Sequence, residues 1–572
     1  MVEKALTGYP SIDKPWLKYY SEEAINAPLP EGSMYDYMTA CNADRLDGIA
    51  LNYFGRKITY RELICEIDRA ADGFFACGIR EGSIVSAFAL NTPECIISIY
   101  ALNRIGAIID LQYVNMSPRE VLTTLRSTRT QFILTADTFL PVIEDSLELG
   151  DLSDSIRVIV APVARSLPLL KRFFFPKKKN RKIKNVLYFE NICRQAEPQG
   201  ELPTGNADAP ALIVHTSGTT GVPKGVLLSN RKVNTIVVEY RDSPLILNRG
   251  DTILNIAPPF FAFGICLAIH TPLCLGLHVC LSPSPVPETN GKVFAFYKPM
   301  HFLGGPAHIR NIIQVQKKKK QNLSFVRTIG YGGEAIPSME AKQYALFFKN
   351  RGAAISHLVP GYGMTEFGGT VVTGSDIWKE GSVGIPFSLA NVKIVDPDNC
   401  DELPYNSTGE IWMTSPSLML GYYKNPDEDN NVIVTDKDGV RWLRTGDLGE
   451  IDPDGFVFIR GRIKRIHLTK GRDNSIYKLF PDYIERILRE CPLVSECAVV
   501  TRSTDGVFHT PVAFVNVPKE SIEKIRRYCE DHLQEYMIPK EFITIDNIPV
   551  TVNGKTDLRA LERMAVENTS GG

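Results

Sequence analysis

Apolar residues in the first third of the chain recur at helical spacing between short apolar runs. Between 58 and 75 they fall on one face of a helix, which Gly78 is expected to end. A strand is predicted over 84–90. The next helix begins near Thr92, where a polar cap precedes a proline, and it ends before Gly106. This alternation of helix and strand predicts a parallel sheet covered by helices.

The segment 216–225 combines three glycines, four hydroxyl side chains and one lysine within ten residues. It follows the apolar run 211–214, which is typical of a buried strand. Glycines let backbone N–H groups turn toward an anion, and Lys224 adds a mobile positive charge. No Gly-Lys-Ser/Thr sequence follows, so this is not the Walker pattern. Taken alone, the segment fits either a phosphate-binding loop or a flexible surface turn.

Two further glycine-rich turns follow predicted strands, at 328–334 and at 361–366. Small residues at strand ends are typical of ligand-binding edges in open α/β sheets. From 409 to 459 the segments are short, β-like and separated by turns. The sequence pattern of the C-terminal region predicts a small α+β unit, in which the elements follow in the order helix, strand, strand and helix. These four elements cover 482–490, 497–501, 511–516 and 520–534.

Composition excludes several classes of protein. The chain has 572 residues, of which 44% are hydrophobic and 23% charged, and its formal net charge is -1. A nearly neutral globular protein has no overall attraction to nucleic acid. The twelve cysteines are scattered without zinc-ligand spacing, which favours reduced thiols in a cytosol. The first residues lack the pattern of a signal peptide, so a cytoplasmic protein is expected.

One apolar segment has the length of a membrane span. No acidic residue, lysine or arginine occurs from 256 to 281, but Pro258, Pro259, Pro272 and two histidines interrupt the run. We therefore predict a buried segment of the fold.

A basic segment lies at 167–184, where three phenylalanines stand among eight lysines and arginines. Aromatic and basic side chains in this arrangement suit the surface of an anionic membrane, and each basic residue near it contributes ~1 kcal/mol. A solvated loop fits the same residues. Both interpretations stay open. The run 317–320 is expected to be the solvated end of a helix.

Four motifs together resemble the AMP-forming adenylating enzymes, the superfamily of acyl-CoA synthetases, nonribosomal peptide adenylation domains and luciferases. They occur in the family's order and at about its spacing. The motifs are the phosphate-loop run 216–225, Gly361-Tyr362-Gly363-Met364-Thr365-Glu366, Arg444-Thr445-Gly446-Asp447 with Gly461-Arg462, and Asn553-Gly554-Lys555.

The resemblance implies an α/β fold with two domains. A large N-terminal domain of helix-covered sheets and a distorted β-barrel would span 1–460. A small mobile α+β lid would span 461–572, and Lys464 occupies the family's hinge position.

The resemblance also implies a binding site for ATP and Mg²⁺. Tyr362 would stack on adenine, Asp447 would accept from the ribose hydroxyls with Arg462 nearby, and Lys555 would bridge the substrate carboxylate and the α-phosphate. Glu366 is the expected Mg²⁺ ligand, because a hard cation prefers carboxylate oxygen, and Thr365 would donate to phosphate. The other implied ATP-binding residues are Thr216, Ser217, Gly218, Thr219, Thr220, Gly221, Lys224, Gly333, Glu334 and Gly363.

The acid substrate is expected to be apolar. Adenylation domains for α-amino acids carry an Asp after the phosphate loop, whereas the corresponding run 258–264 has no carboxylate. An unpaired ammonium there would cost several kcal/mol. A fatty acyl chain of medium or long length is predicted, and an aryl acid is the alternative. The predicted pocket residues are Phe261, Gly264, Gly305, Tyr331 and Gly332.

The sequence departs from the family pattern after the hinge. Gly471 is separated from Pro481 by about five residues more than the family has, in the loop expected to face the thiol acceptor. The acceptor is therefore either CoA or the phosphopantetheine of a carrier protein. A non-catalytic adenylate-binding protein is a third alternative, against which Glu366, Asp447, Arg462 and Lys555 together argue.

Overall fold

Two large sheets are built from strands between residues 49 and 422, and the first of them has eight strands in the order β19-β9-β8-β4-β3-β5-β6-β7. A computed structural model describes residues 6–168, 172, 183, 185–198, 202, 205–216, 224–284, 287–472, 474–503, 506–550 and 556–567. The pairs from β8 through β7 are parallel, and β9 and β19 add antiparallel edges. The strands are β3 Ile84–Phe88, β4 Ile108–Leu111, β5 Phe132–Ala136, β6 Arg157–Ala161, β7 Val186–Tyr188, β8 Pro210–His215, β9 Gly225–Ser229 and β19 Gly421–Tyr422.

The second large sheet has nine strands in the order β16-β15-β14-β13-β12-β10-β11-β1-β2. Its central pairs are also parallel. One hydrophobic core cluster spans residues from both large sheets. The strands are β1 Ile49–Tyr53, β2 Arg56–Thr59, β10 Thr252–Asn255, β11 His278–Leu281, β12 His301–Gly304, β13 Thr328–Gly332, β14 Val359–Met364, β15 Gly369–Thr373 and β16 Ile385–Pro386.

The helices begin and end where the sequence places their caps. The predicted helix after 58 begins at Tyr60, because the Thr59 hydroxyl accepts from the Glu62 N–H and the Glu62 carboxylate accepts from the Thr59 N–H. The next helix is capped by Thr92 and ends at Gly106, whose φ is 81°. The helices are α1 Pro10–Asp13, α2 Glu22–Ile25, α3 Met34–Cys41, α4 Tyr60–Ala76, α5 Pro93–Ile105, α6 Pro118–Thr128, α7 Leu140–Gly150, α8 Phe189–Gln195, α9 Asn230–Arg241, a π-helix Phe263–His270, α10 Thr271–Cys274, α11 Pro287–Tyr297, α12 Pro306–Lys319, α13 Ser338–Lys349, α14 Pro426–Val432, α15 Pro481–Glu490, α16 Ile522–His532 and α17 Leu558–Glu567.

The apolar run 256–281 is a buried part of the fold, as predicted. It contains the π-helix, α10 and β11, and the side chains from Gly264 to Cys274 are all buried. Among the described residues, no helix is long and apolar enough to cross a bilayer.

The region predicted as a distorted barrel forms a five-stranded antiparallel sheet, in which β21 pairs with β18, β20 and β22. Its strands are β17 Asn391–Val395, β18 Gly409–Thr414, β20 Ile433–Thr435, β21 Arg441–Ile451 and β22 Val457–Arg462.

The C-terminal region has its own sheets and its own core. The predicted order of helix, strand, strand and helix is confirmed by α15, β25, β26 and α16, and a third strand, β27, lies parallel to β26. A hydrophobic cluster around Leu488, Val499 and Ile525 packs these elements together. The strands are β23 His467–Lys470, β24 Ile476–Leu479, β25 Cys497–Ser503, β26 His509–Val515 and β27 Glu541–Thr544.

Lys464 lies between the two regions, in a short turn from Ile463 to Arg465, and its side chain is exposed. Across this junction the N–H of Arg462 donates to Asp482 at 2.9 Å. The domain boundary near 460 and the hinge at Lys464 stay predictions.

Trp16 anchors the N-terminal segment on the main body. It is fully buried against Ile385 and Phe456, and the nearby Tyr20 hydroxyl donates to the carbonyl of Pro386 at 2.8 Å. The segment is further held by the Ser11 hydroxyl, which donates to Glu402 at 2.8 Å, so the aromatic side chain supplies the apolar part of the contact.

Replacing Trp16 with Ala is expected to remove about 3–5 kcal/mol of stability, because a fully buried aromatic side chain leaves a cavity. Thermal and urea unfolding of the purified protein measure the loss. Trp378→Ala is the matched control, since that indole is 38% exposed and stacks on His357 at the surface. Equal shifts in the two variants would contradict the anchoring role.

Candidate active site

The phosphate-loop segment lies between the antiparallel strands β8 and β9, and both of its ends are fixed by hydrogen bonds. The N–H of Thr216 donates to the carbonyl of Lys224 at 2.9 Å, and the N–H of Lys224 donates to the Thr216 hydroxyl at 3.2 Å. The two ends of the loop are therefore held close together. The predicted ligands Ser217, Gly218, Thr219, Thr220 and Gly221 lie outside the described residues.

The ammonium group of Lys224 has two contacts. It lies 2.5 Å from a carboxylate oxygen of Glu428 on α14 and 5.1 Å from the ring centre of Tyr422. The Lys224 and Glu428 side chains are about 27% and 32% exposed, and an ion pair with that exposure contributes at most ~1 kcal/mol. A phosphate group can therefore replace Glu428 at little cost.

Glu366 is held at the end of β14 by two donors from the segment around β19. The Tyr422 hydroxyl donates to one carboxylate oxygen at 2.7 Å, and the Met419 N–H donates to the Glu366 carbonyl at 2.7 Å. Burial and the charge of Glu366 raise the pKa of Tyr422, which keeps its hydroxyl protonated as a donor. Glu366 itself is only 6% exposed.

The Glu366 carboxylate fits one part of a Mg²⁺ site. Its second oxygen, Oε2, receives no hydrogen bond from any described residue. The described residues contain no cluster of three or more histidine, cysteine, aspartate or glutamate side chains suited to a metal. A Mg²⁺ ion held by one carboxylate would take its other ligands from phosphate and water, which is the usual coordination in nucleotide sites.

Tyr362, Asp447 and Arg462 form a second polar group. Asp447 accepts from the Tyr362 hydroxyl at 2.7 Å through one oxygen and from the Arg462 guanidinium at 2.8 Å through the other. Asp447 and Arg462 are cross-strand partners on β21 and β22, which places their side chains side by side. Burial and the neighbouring Asp447 raise the pKa of Tyr362. The Tyr362 ring and the Asp447 carboxylate, predicted to bind the two ends of adenosine, are therefore in direct contact.

The C-terminal motif reaches this region through the residue that follows it. The N–H of Thr556 donates to the Glu334 carboxylate at 2.9 Å, and Glu334 follows β13. Lys555 lies outside the described residues. Gly333, also predicted, has φ of 84°, which is the conformation that favours glycine in the turn after β13.

Close backbone contacts fix the turn at β14. A side chain at Gly363 would place its first carbon 1.9 Å from the carbonyl oxygen of Gly369, so only glycine fits there. The chain then enters a short 3₁₀ turn at Thr365, whose carbonyl accepts from the N–H of Gly368.

The predicted pocket residues stand at the ends of adjacent strands. Phe261 and Gly264 follow β10, Gly305 follows β12, and Tyr331 and Gly332 end β13. Gly264 lies in the first turn of the π-helix and packs against the segment after β10, since an added carbon would come within 1.8 Å of the Pro258 carbonyl oxygen. The structure thus brings all five residues to one edge of the sheet.

Sequence reasoning missed Tyr422 and Glu428. Tyr422 follows a glycine and precedes a second tyrosine, and no local pattern distinguishes the two rings. Tyr422 lies near Glu366 because β19 pairs with β9, and this pairing joins positions about two hundred residues apart in the chain.

A buried polar network beneath the phosphate loop was also missed. His215 contacts Asp110 at 2.8 Å and Gln112 at 3.1 Å, and Asp110 accepts from Ser86 at 3.0 Å. The network begins one residue before the loop and fixes the end of β8.

Most of the basic segment 167–184 lies outside the described residues. The predicted membrane contact therefore stays a prediction. All twelve cysteines are described and are free thiols.

Comparison with known proteins identifies the family. The profile described as "AMP-binding enzyme" matches residues 39–423, and the profile described as "AMP-binding enzyme C-terminal domain" matches residues 483–555. The chain belongs to the AMP-binding enzyme family. The predicted superfamily, fold class and enzyme class, an AMP-forming acid–thiol ligase, are thereby confirmed.

This AMP-binding enzyme is similar to several named ligases over most of its length. It is 27% identical over 574 residues to a long-chain-fatty-acid–CoA ligase of Bacillus subtilis (strain 168), covering 97% of this chain and 99% of that protein. It is 26% identical over 513 residues to 4-coumarate–CoA ligase CCL1 of Humulus lupulus, covering 88% of each. The crystal structure of anthranilate CoA ligase AuaEII with anthranoyl-AMP superposes with a TM-score of 0.80 at 22% identity, covering 95% of this chain and 99% of that one.

Replacing Tyr422 with Phe removes only the hydroxyl that donates to Glu366. If Glu366 binds Mg²⁺, loss of this orienting hydrogen bond should weaken Mg²⁺ activation about 10- to 100-fold. Pyrophosphate release is measured across a Mg²⁺ titration. Tyr423→Phe is the matched control, because that ring lies beside Lys424 at 4.9 Å. An unchanged Mg²⁺ dependence in the Tyr422 variant would argue against this role for Glu366.

Proposed function

We propose that this enzyme is a fatty acyl-CoA synthetase that uses ATP to activate a medium- or long-chain fatty acid. The observation that supports the proposal is the lack of charge in the buried segment 256–281, which includes the predicted pocket residues Phe261 and Gly264. This segment contains no acidic residue, lysine or arginine, and burial lowers the pKa of His270 to about 3 and that of His278 to about 4. Both imidazoles are therefore uncharged at neutral pH. A buried segment without charge suits an acyl chain.

The hydrogen bonds of His270 support the same proposal. Its ring nitrogens contact the Tyr100 hydroxyl at 2.9 Å and the Asn234 side-chain oxygen at 2.8 Å. Since both nitrogens have partners, the fully buried imidazole keeps no unsatisfied ring nitrogen. The similarity to the Bacillus subtilis long-chain-fatty-acid–CoA ligase agrees with an apolar acid.

An aryl acid is the second candidate. Tyr113, Phe260 and Phe261 form an aromatic cluster whose ring centres are 4.6–6.2 Å apart, next to the predicted pocket. Such a cluster can pack against a flat ring as well as against methylene groups. The similarity to 4-coumarate–CoA ligases favours this alternative.

In the proposed first step a carboxylate oxygen of the acid attacks the α-phosphorus of ATP, and the bond to pyrophosphate breaks. Lys224 and the hydroxyls of the phosphate loop hold the phosphates, Tyr362 stacks on adenine, and Asp447 accepts from the ribose hydroxyls. Lys555 approaches the α-phosphate and the carboxylate, where a compact positive charge stabilises the oxygens that gain charge. Mg²⁺, bound by Glu366, would neutralise phosphate charge.

In the proposed second step the thiol of CoA attacks the acyl carbon and AMP leaves. The loop 471–481 belongs to the hairpin of β23 and β24, whose turn is closed by a hydrogen bond from Gly471 N–H to the Ser475 carbonyl at 2.9 Å. We infer that the extra residues extend an ordered hairpin, which leaves CoA as the preferred acceptor. A carrier-protein phosphopantetheine is the alternative. Lys464 is the proposed hinge between the two steps.

An assay of pyrophosphate and AMP release with ATP and Mg²⁺ tests the proposed substrate. Fatty, aryl and amino acids are compared, each with and without CoA. A fatty acid should give the highest kcat/KM, because burial of each methylene group of its chain contributes about 0.8 kcal/mol of binding free energy. Addition of CoA should raise the rate of AMP release. Preference for an aryl acid would replace the first candidate by the second. Pyrophosphate release that CoA does not accelerate would indicate a carrier protein.

Lys555→Ala is expected to lower pyrophosphate release by about a hundredfold or more while ATP binding changes little, because this charge acts only at the reacting phosphate. Lys540→Ala is the control, since its side chain is exposed in the same region. Full activity of the Lys555 variant would contradict the assignment.

A further inference from the structure

A cleft of about 560 Å³ lies on the N-terminal region, and five arginines line it. They come from separate parts of the chain: Arg56 from β2, Arg69 from α4, Arg165 and Arg172 from the connection after β6, and Arg194 from α8. The strand ends that hold the candidate active site contribute none of them. The cleft is therefore a separate feature of the surface.

The positive charge of this arginine cleft is only partly balanced. Glu66 accepts from Arg69 at 2.7 Å and from Arg165 at 3.3 Å, and Glu190 lies 3.6 Å from Arg172. The buried carboxylate of Glu94 lies 3.9 Å from Arg165 as well, so three carboxylates contact three of the five guanidinium groups.

Arg56 and Arg194 form no ion pair with any described residue, and both are exposed. Cys193 also lines the cleft, but burial raises the pKa of its thiol to about 12, so it contributes no negative charge. Five guanidinium groups and three carboxylates leave an excess of positive charge that an anion would neutralise.

Parts of the cleft are held in place before any ligand binds. The Arg165 guanidinium lies over the Phe189 ring at 5.0 Å while it contacts Glu66, which fixes its plane. Glu66 and Arg69 are one helical turn apart on α4. The ordered arginines lose little conformational freedom on binding a ligand.

We propose that this cleft binds an organic phosphate that carries several negative charges. Planar guanidinium groups bind phosphate oxygens through paired N–H donors, and the five arginines among the described lining residues suit that recognition. Small-molecule sites generally span about 300–1,000 Å³, so the cleft has room for a phosphorylated sugar or inositol. The same chemistry is offered by a soluble phosphate ester and by a phosphorylated lipid headgroup.

Calorimetric titration of the full-length protein with inositol hexakisphosphate tests the proposal. The double variant Arg56→Ala/Arg194→Ala should bind this probe at least about tenfold more weakly, because it lacks two charge-assisted contacts. Lys317→Ala/Lys318→Ala is the control, since it removes the same charge from an exposed helix end. Pyrophosphate release by both variants should equal that of the wild type, which verifies folding.

Vesicles distinguish the two sources of phosphate. Sedimentation with phosphatidylcholine vesicles, with and without phosphatidylinositol 4,5-bisphosphate, is measured for the wild type and both variants. If the protein sediments only with vesicles that contain the phosphorylated lipid, and only the arginine variant loses this binding, the ligand is a lipid headgroup. Binding of the soluble probe without recruitment identifies a soluble phosphate ester. The proposal is overturned if the wild type binds neither probe, or if the arginine and lysine variants behave alike.

Discussion

The hydrogen bond from Tyr422 to Glu366 joins the two large sheets at the candidate active site. Tyr422 belongs to β19 at the edge of the eight-stranded sheet, whereas Glu366 follows β14 in the nine-stranded sheet. A second bond, from the Met419 N–H to the Glu366 carbonyl, lies beside the first. Both bonds involve buried groups, and a buried acceptor that loses its donor costs about 1–3 kcal/mol. The relative position of the phosphate loop and the β14 turn therefore depends on this junction.

Two cationic side chains near that junction, Lys224 and Arg462, are each paired with a carboxylate. Lys224 is held by Glu428, and Arg462 is held by Asp447. The Lys224–Glu428 pair is partly exposed and contributes little net stability because solvent screens it, whereas the Asp447 carboxylate of the other pair is buried. In the proposed function a phosphate group would replace Glu428 beside Lys224, and the buried Asp447 would stay in place to accept from ribose. The arginine cleft differs, since two of its cations have no such partner among the described residues.

The local sequence pattern predicted many of the helices and strands. The residues that it did not predict are those whose contacts depend on pairing between distant strands. Thr92 and Gly106 mark a helix because their capping chemistry lies within a few residues of the helix they bound. Glu366 and Asp447 were predicted as site residues because each lies in a short motif that resembles the family's, so their prediction needed only neighbouring residues. Tyr422 was not, because its partner lies 56 residues away and is reached only when β19 pairs with β9.

The arginine cleft could not be predicted from local sequence for the same reason. Its residues range from Arg56 on β2 to Arg194 on α8, and no motif connects them. Their convergence depends on how α4 and α8 pack beside β2.

In the proposed function, burial decides which acids bind. An amino acid would bring an ammonium group to a segment whose two histidines are held neutral by burial and which offers no carboxylate. An unpaired ammonium in such surroundings costs several kcal/mol, and each 1.4 kcal/mol corresponds to about a factor of ten. Amino acids would therefore be rejected by a hundredfold or more without a dedicated repulsive group. Discrimination between fatty and aryl acids would be a smaller effect, because both bury apolar surface and differ only in how they pack against Phe260 and Phe261. On this proposal the missing countercharge excludes amino acids, and the aromatic cluster selects the shape of the acid.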